Sequence, residues 1–108
     1  MTQFERAAAF RLLHERPGAF VIPNPWDAGT ARMLAGLGFE ALATTSSGLA
    51  FTLGRRDAEG AVTRQEALDS AGAIAAATSL PVSADLENGF GDDPETVAET
   101  IIRSRSPP

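Results

Sequence analysis

Hydrophobic and polar positions along this chain follow two alternating rhythms. Residues 2 to 16 place Phe4, Ala8 and Leu12 at helical spacing. Thr2 and Glu5 stand where a capping box needs them, and Pro17-Gly18 stops the pattern. The run "AFVIP" (19–23) has no polar position, which predicts a short buried strand ended by Pro23 and Pro25. Helical spacing returns from Asp27, with Ala28, Ala31, Leu34, Ala35 and Leu37 on one side and Gly38 as a C-terminal stop. "EALAT" (40–44) reads as a second buried strand, followed by a long glycine-punctuated loop, "TSSGLAFTLGRRDAEGAV". Thr63 and Glu66 form another capping box, opening a helix to about Ala77. "LPVSAD" (80–85) is the third strand, and Asp93-Pro94 is an N-cap and first-turn pair opening the last helix.

The predicted order is α-β-α-β-α-β-α. The strands are too apolar to face water on either side, so the expectation is an α/β fold with parallel strands joined by right-handed crossovers. Such units bring the end of every strand to one face. Three segments then converge there: "PNPWDAG", "TTSSGLAF" with "GRRD", and "DLENGFGDD". No repeat of solenoid length is present.

Composition narrows the chemistry. No apolar run approaches the ~20 residues of a membrane span, and charges run through the N-terminal segment where a signal peptide would be apolar. A cytoplasmic protein is expected. The net charge of −5 argues against a nucleic-acid partner. The 108 residues contain no cysteine, and all nine basic residues are arginine, which excludes a disulfide framework, a thiolate and a Schiff-base lysine. The single histidine, His14, sits at the end of the first helix, where a surface role beside the negative end of the dipole is the better reading than a catalytic triad. What remains for chemistry is carboxylates, arginines, hydroxyls, backbone amides and a borrowed cation.

Asp85 ends the third strand and Glu87 follows two residues on, so an extended chain would turn both carboxylates to one side. Two carboxylates there suit a hard divalent cation such as Mg²⁺. Residues 85 to 102 hold six acids and no base. Of these, Asp92, Asp93 and Glu95 are better explained by the positive helix end that follows. Gly89 and Gly91 permit a tight backbone path and do not form a nucleotide-binding fingerprint. "TTSSGLA" sets hydroxyls and Gly48 just beyond the second strand, either as an anion cradle or as an ordinary serine-glycine loop. "GRRDAEG" is either a loop that closes over an anionic substrate or an exposed charged loop. Trp26 is expected to pack rather than line the mouth.

Three stretches, "NPWDAGTARMLAGLGFEALATTSSGLA", "LGRRD" and "PVSADLENGFGDDPETVAETI", resemble the isocitrate lyase/phosphoenolpyruvate mutase superfamily over roughly residues 3 to 102. The resemblance implies the N-terminal portion of a (β/α)₈ TIM-type barrel, about three parallel strands with flanking helices. It implies Mg²⁺ as cofactor, a small-molecule 2-oxo acid or dicarboxylate as substrate, and a homo-oligomer in the full-length parent. It puts Asp85 and Glu87 at metal positions, and Asp57 at the acidic, catalytic position of a gating loop. Thr45, Ser47, Gly48 and Leu49 fall in the turn that cradles the substrate carboxylate. Which substrate is taken stays open among methylisocitrate, phosphonopyruvate, oxaloacetate and other dicarboxylates.

Such a barrel needs about 250 residues and eight strands. Three strands in 108 residues therefore read as a fragment, with 1–102 a partial barrel domain and "RSRSPP" (103–108) an aberrant or frayed tail. The expectation is a marginally stable, self-associating chain, inactive alone, with a truncated or frame-shifted origin. The runner-up is a small non-enzymatic α/β module that completes its sheet with a partner chain.

Overall fold

The computed structural model describes residues 1–105. Five helices and two short strands follow one another: α1 (Gln3–Glu15), α2 (Ala28–Gly36), β1 (Leu42–Ala43), α3 (Ser46–Thr52), α4 (Arg64–Ala77), β2 (Val82–Ser83) and α5 (Pro94–Ser104). The chain is α/β, as expected, and the two strands pair in parallel with Leu42 opposite Val82 and Ala43 opposite Ser83.

Local capping chemistry explains most helix boundaries. Reciprocal capping boxes join Thr2 to Glu5 and Thr63 to Glu66, and Asp93 caps α5 with Pro94 in the first turn. α2 starts on a box of a different composition, in which the Asp27 carboxylate accepts from Thr30 N–H and the Thr30 hydroxyl accepts from Asp27 N–H. It ends on Gly38 at φ +97°, with Gly38 N–H donating to the Ala35 carbonyl and Phe39 N–H to that of Leu34, a Schellman motif. α4 ends differently. The Arg6 guanidinium reaches from α1 to the carbonyls of Ala75 (2.7 Å), Thr78 (2.7 Å) and Leu80 (3.3 Å), a cation on the negative end of the helix.

Two expectations need correction. Residues 19–23 form no strand: a single bond, from Ala43 N–H to the Pro23 carbonyl, ties the segment to β1, with Asn24 Nδ2 donating to the Ala43 carbonyl. Pro23 and Pro25 lack the N–H groups a ladder needs, so two strands stand where three were predicted. The long loop after β1 contains α3, begun by Thr45 and ended by Gly54 at φ +72°. α5 runs past residue 102 to Ser104, with Arg103 paired to Glu99 at 2.8 Å. Residues 106–108 of the tail lie outside the described residues.

The core is small. Ala31, Leu42 and Ile74 are buried at the meeting of α2, β1 and α4, with Leu34, Ala77, Leu80 and Val82 packed around them. No residue of α1 is buried. His14 is exposed; its Nδ1 lies 2.8 Å from the Phe10 carbonyl, and its ring meets Phe10 and Phe20 edge to face, the surface role anticipated. Among the described residues no helix is long and apolar enough to cross a membrane.

Candidate functional site

Because β1 and β2 run in parallel and in register, their ends deliver Thr44 and Asp85 side by side. Thr44 N–H donates to the Ser83 carbonyl at 2.8 Å, and Asp85 N–H donates to the Thr44 hydroxyl at 2.8 Å. Both carboxylate oxygens of Asp85 then take up backbone amides: Oδ2 accepts from Ser46 N–H and Oδ1 from Glu87 N–H, each at 3.0 Å. Asp85 therefore joins the start of α3 to the turn that follows β2. Burial pushes its carboxyl up, but the Glu87 and Ser46 amides outweigh burial and hold it below the ordinary aspartate value.

The turn itself is compressed. Glu87 and Phe90 are non-glycine residues at φ +52° and +63°, and Gly89 sits at φ +85°. The expected extended, period-two path from Asp85 to Glu87 is thus replaced by a left-handed bend, which gives the two carboxylates different settings. Asn88 Oδ1 accepts from Phe90 N–H, and Gly89 N–H donates to the Leu86 carbonyl. From the other side α5 presses in. A Cβ at Gly89 would lie 2.8 Å from Val97, and one at Gly91 would lie 2.4 Å from Thr96. Thr100, fully buried, donates its hydroxyl to the Gly89 carbonyl at 2.6 Å. The glycines serve close approach, as their positions suggested.

Glu87 faces a cleft of about 710 Å³ whose walls include Asp57, Glu59 and Gly60 on one side and Asn88, Phe90 and Asp92 on the other. Its carboxyl is raised above the ordinary glutamate value, first by burial and then by the charges of Asp85, Asp57 and Glu59. Among the described residues no arginine forms an ion pair with any of these acids. The structure brings Asp57 and Glu87 to one cleft, adds Glu59 and Asp92, and sets Asp85 behind them. Glu59 was missed in the sequence, where it reads as one more charge on a polar loop. Thr44 was missed too, although a hydroxyl following a buried strand beside a second parallel strand is a visible signal.

The hydroxyl-glycine segment behaves otherwise than a loop. Thr45 caps α3, its Oγ1 accepting from Gly48 N–H at 3.3 Å and lying 2.9 Å from the Ser47 hydroxyl, while Leu49 N–H donates to the Thr45 carbonyl. Ser46 N–H goes to Asp85, so the Ser47 amide is the one first-turn donor of α3 without a partner among the described residues. Gly48 is buried under the Trp26 ring, where a Cβ would come within 2.4 Å of Trp26. Trp26 packs there and against Phe51, with ring centroids 5.7 Å apart, as expected of it.

The donor chemistry suits a hard divalent cation: carboxylate oxygens with uncompensated charge, open to a cleft. Among the described residues no three acidic side chains converge closely enough to hold an ion by themselves. Octahedral Mg²⁺, which keeps several waters and takes one or two carboxylates, is compatible with that arrangement.

Residues 10–106 match the family model of phosphoenolpyruvate phosphomutase. The chain is 38% identical over 87 residues to 2,3-dimethylmalate lyase of Eubacterium barkeri, covering 80% of this chain and 30% of that protein. It is 36% identical over 90 residues to 2-methylisocitrate lyase of Halalkalibacterium halodurans, covering 83% and 30%. A crystal structure of a provisionally assigned lyase/mutase from Burkholderia cenocepacia J2315 superposes with a TM-score of 0.89 at 64% identity, over 94% of this chain and 36% of that one. The chain thus spans about a third of the length of the relatives it matches. With a family model matched over residues 10–106 and solved members superposing on nearly the whole chain, the chain belongs to the phosphoenolpyruvate mutase/isocitrate lyase superfamily.

Proposed function

We propose that this chain carries the N-terminal part of a (β/α)₈ barrel enzyme, a Mg²⁺-dependent carbon–carbon lyase or phosphonomutase-like enzyme acting on 2-oxo acids or dicarboxylates. The reaction is a property of a polypeptide of the relatives' length, and the 108-residue chain by itself contributes binding groups rather than turnover. The observation that carries the reading is the cleft beyond the strand ends, lined by Asp57, Glu59 and Glu87, to which no arginine is paired among the described residues. A counter-ion or a proton would relieve the repulsion among these carboxylates.

Asp85 and Glu87 would hold the metal, Asp85 fixed by two backbone amides and Glu87 carried on the bend. When bound, Mg²⁺ supplies Lewis-acid polarisation of a substrate carbonyl and stabilises an enolate. The substrate carboxylate would meet Thr45, Ser47, Gly48 and Leu49 at the start of α3, with the Ser47 amide available to donate. Asp57 lines the same cleft and would be the catalytic carboxylate.

Titration of Mg²⁺ or Mn²⁺ with oxalate into the full chain tests this. Saturable binding and a raised melting temperature are expected. Glu87→Gln, whose side chain takes no part in holding the turn, should weaken binding about tenfold, since one charged ligand is lost. Unchanged melting temperature and flat heats in the unsubstituted chain would defeat the proposal. A second reading has one observation in its favour: β2 is an edge strand with two residues in the ladder. A non-enzymatic module completing its sheet with another chain would use that edge.

A further inference from the structure

Arg55 is the residue where three segments meet. Gly54 N–H donates to the Phe51 carbonyl and Arg55 N–H to that of Ala50 at 2.8 Å, so a Schellman motif fixes the Arg55 backbone to the end of α3. Its side chain reaches forward across the loop. Arg55 Nη1 donates to the Ala61 carbonyl at 3.0 Å and to Glu66 Oε1 at 2.7 Å. The same glutamate oxygen accepts from Thr63 N–H at 2.9 Å, at the cap of α4. Residues 56–60 therefore leave and return at one guanidinium, forming a small loop closed at its neck.

That loop is held where electrostatics opposes it. Asp57 and Glu59 lie in the wall of the cleft facing Glu87 and Asp92, all of one sign. Among the described residues no hydrogen bond or ion pair crosses from 57–60 to 87–92. The restraint comes from the neck.

We infer that Arg55 is a positioning residue: through Ala61 and Glu66 it holds Asp57 and Glu59 opposite Glu87 against their mutual repulsion. Its importance for catalysis rests on the reading of the cleft given above, whereas the restraint itself needs no bound cation. The guanidinium is suited to this because one nitrogen serves two acceptors while the Schellman backbone fixes its origin.

Amide hydrogen exchange in residues 56–62, read at Ala61, whose N–H donates to the Ala58 carbonyl at 3.0 Å, tests the inference on the full chain at neutral pH, low salt and without divalent ions. Arg55→Ala should speed exchange in this segment about tenfold, the worth of one charge-assisted hydrogen bond. Adding Asp57→Asn and Glu59→Gln to Arg55→Ala should restore most of the protection. A merely structural role would leave exchange fast in that triple variant, because neutralising the loop rebuilds no bond. Unchanged exchange in Arg55→Ala, or no recovery in the triple variant, would overturn the inference. Should Arg55→Ala fail to fold, Glu66→Gln decides, since glutamine still accepts from Thr63 N–H while the ion pair is lost; it should speed exchange in the same segment. Absence of Mg²⁺ binding to the unsubstituted chain would sink the cation reading and leave this measurement standing.

Discussion

Helix α1 and the turn at residues 85–92 are both held mainly by polar side chains, yet they are anchored in different ways. No residue of α1 is fully buried: Phe4 is 82% and Leu12 63% exposed, and Arg6 makes three long-range hydrogen bonds from it to the end of α4. The turn is gripped from three sides, by Thr44 after β1 and Ser46 at the start of α3, by Asp85 from within, and by Thr96, Val97 and Thr100 from α5. The contrast separates scaffold from site. A helix with no fully buried residue can be displaced at little cost, whereas a bend with two non-glycine residues at positive φ persists only where the surroundings over-determine it.

Breaking the turn should therefore have the largest effect. Gly89→Ala adds a side chain at φ +85° and within 2.8 Å of Val97, so it should cost about 3 kcal/mol from backbone strain and overpacking together. Urea titration of both proteins measures it, and a cost near zero would mean that α5 does not press on the turn. Breaking the anchor of α1 should do less. Arg6→Ala should cost about 1 kcal/mol and raise amide exchange within residues 3–15, leaving the turn protected.

The smallest effect sharpens the comparison within the site, because Asp85 and Glu87 are shifted in opposite directions. Asp85 is held below its usual value, so its contribution is present above the normal aspartate range and is lost as pH falls through its folded value. Glu87 is raised, so its contribution is present below the normal glutamate range and fades as pH rises through its folded value. Glu87→Gln should slightly increase stability at neutral pH and remove the loss that accompanies rising pH just above the glutamate range, while the acid limb due to Asp85 stays. Melting temperatures across pH 3 to 8, without divalent ions, check both limbs.

What the sequence disclosed and what it hid divide by distance along the chain. Thr2–Glu5, Thr63–Glu66, Asp93-Pro94 and Gly38 all act within a few residues, and each marks a helix boundary where the pattern put it. α3 was hidden because "SSGLAFT" is rich in residues that favour loops, although Thr45 was there to cap it. The missing first strand is a matter of donors, since its prolines have no N–H to give. The bend at Glu87 was illegible for a stronger reason. Nothing in a glutamate announces positive φ, and the contacts that enforce it come from Ser46, 39 positions away from Asp85, and from Thr100. Asp57 and Glu87 were singled out from motif and strand-end position, but their meeting in one cleft required the fold.

The bond between Asp85 and Ser46 also sets an order of events. A chain emerging from the ribosome exposes α3 some 39 residues before its carboxylate partner exists, so the start of that helix is completed only when the second strand has been made. Joining the strand ends therefore carries the entropy of closing that interval, a cost that the coiling of α3 alone does not meet.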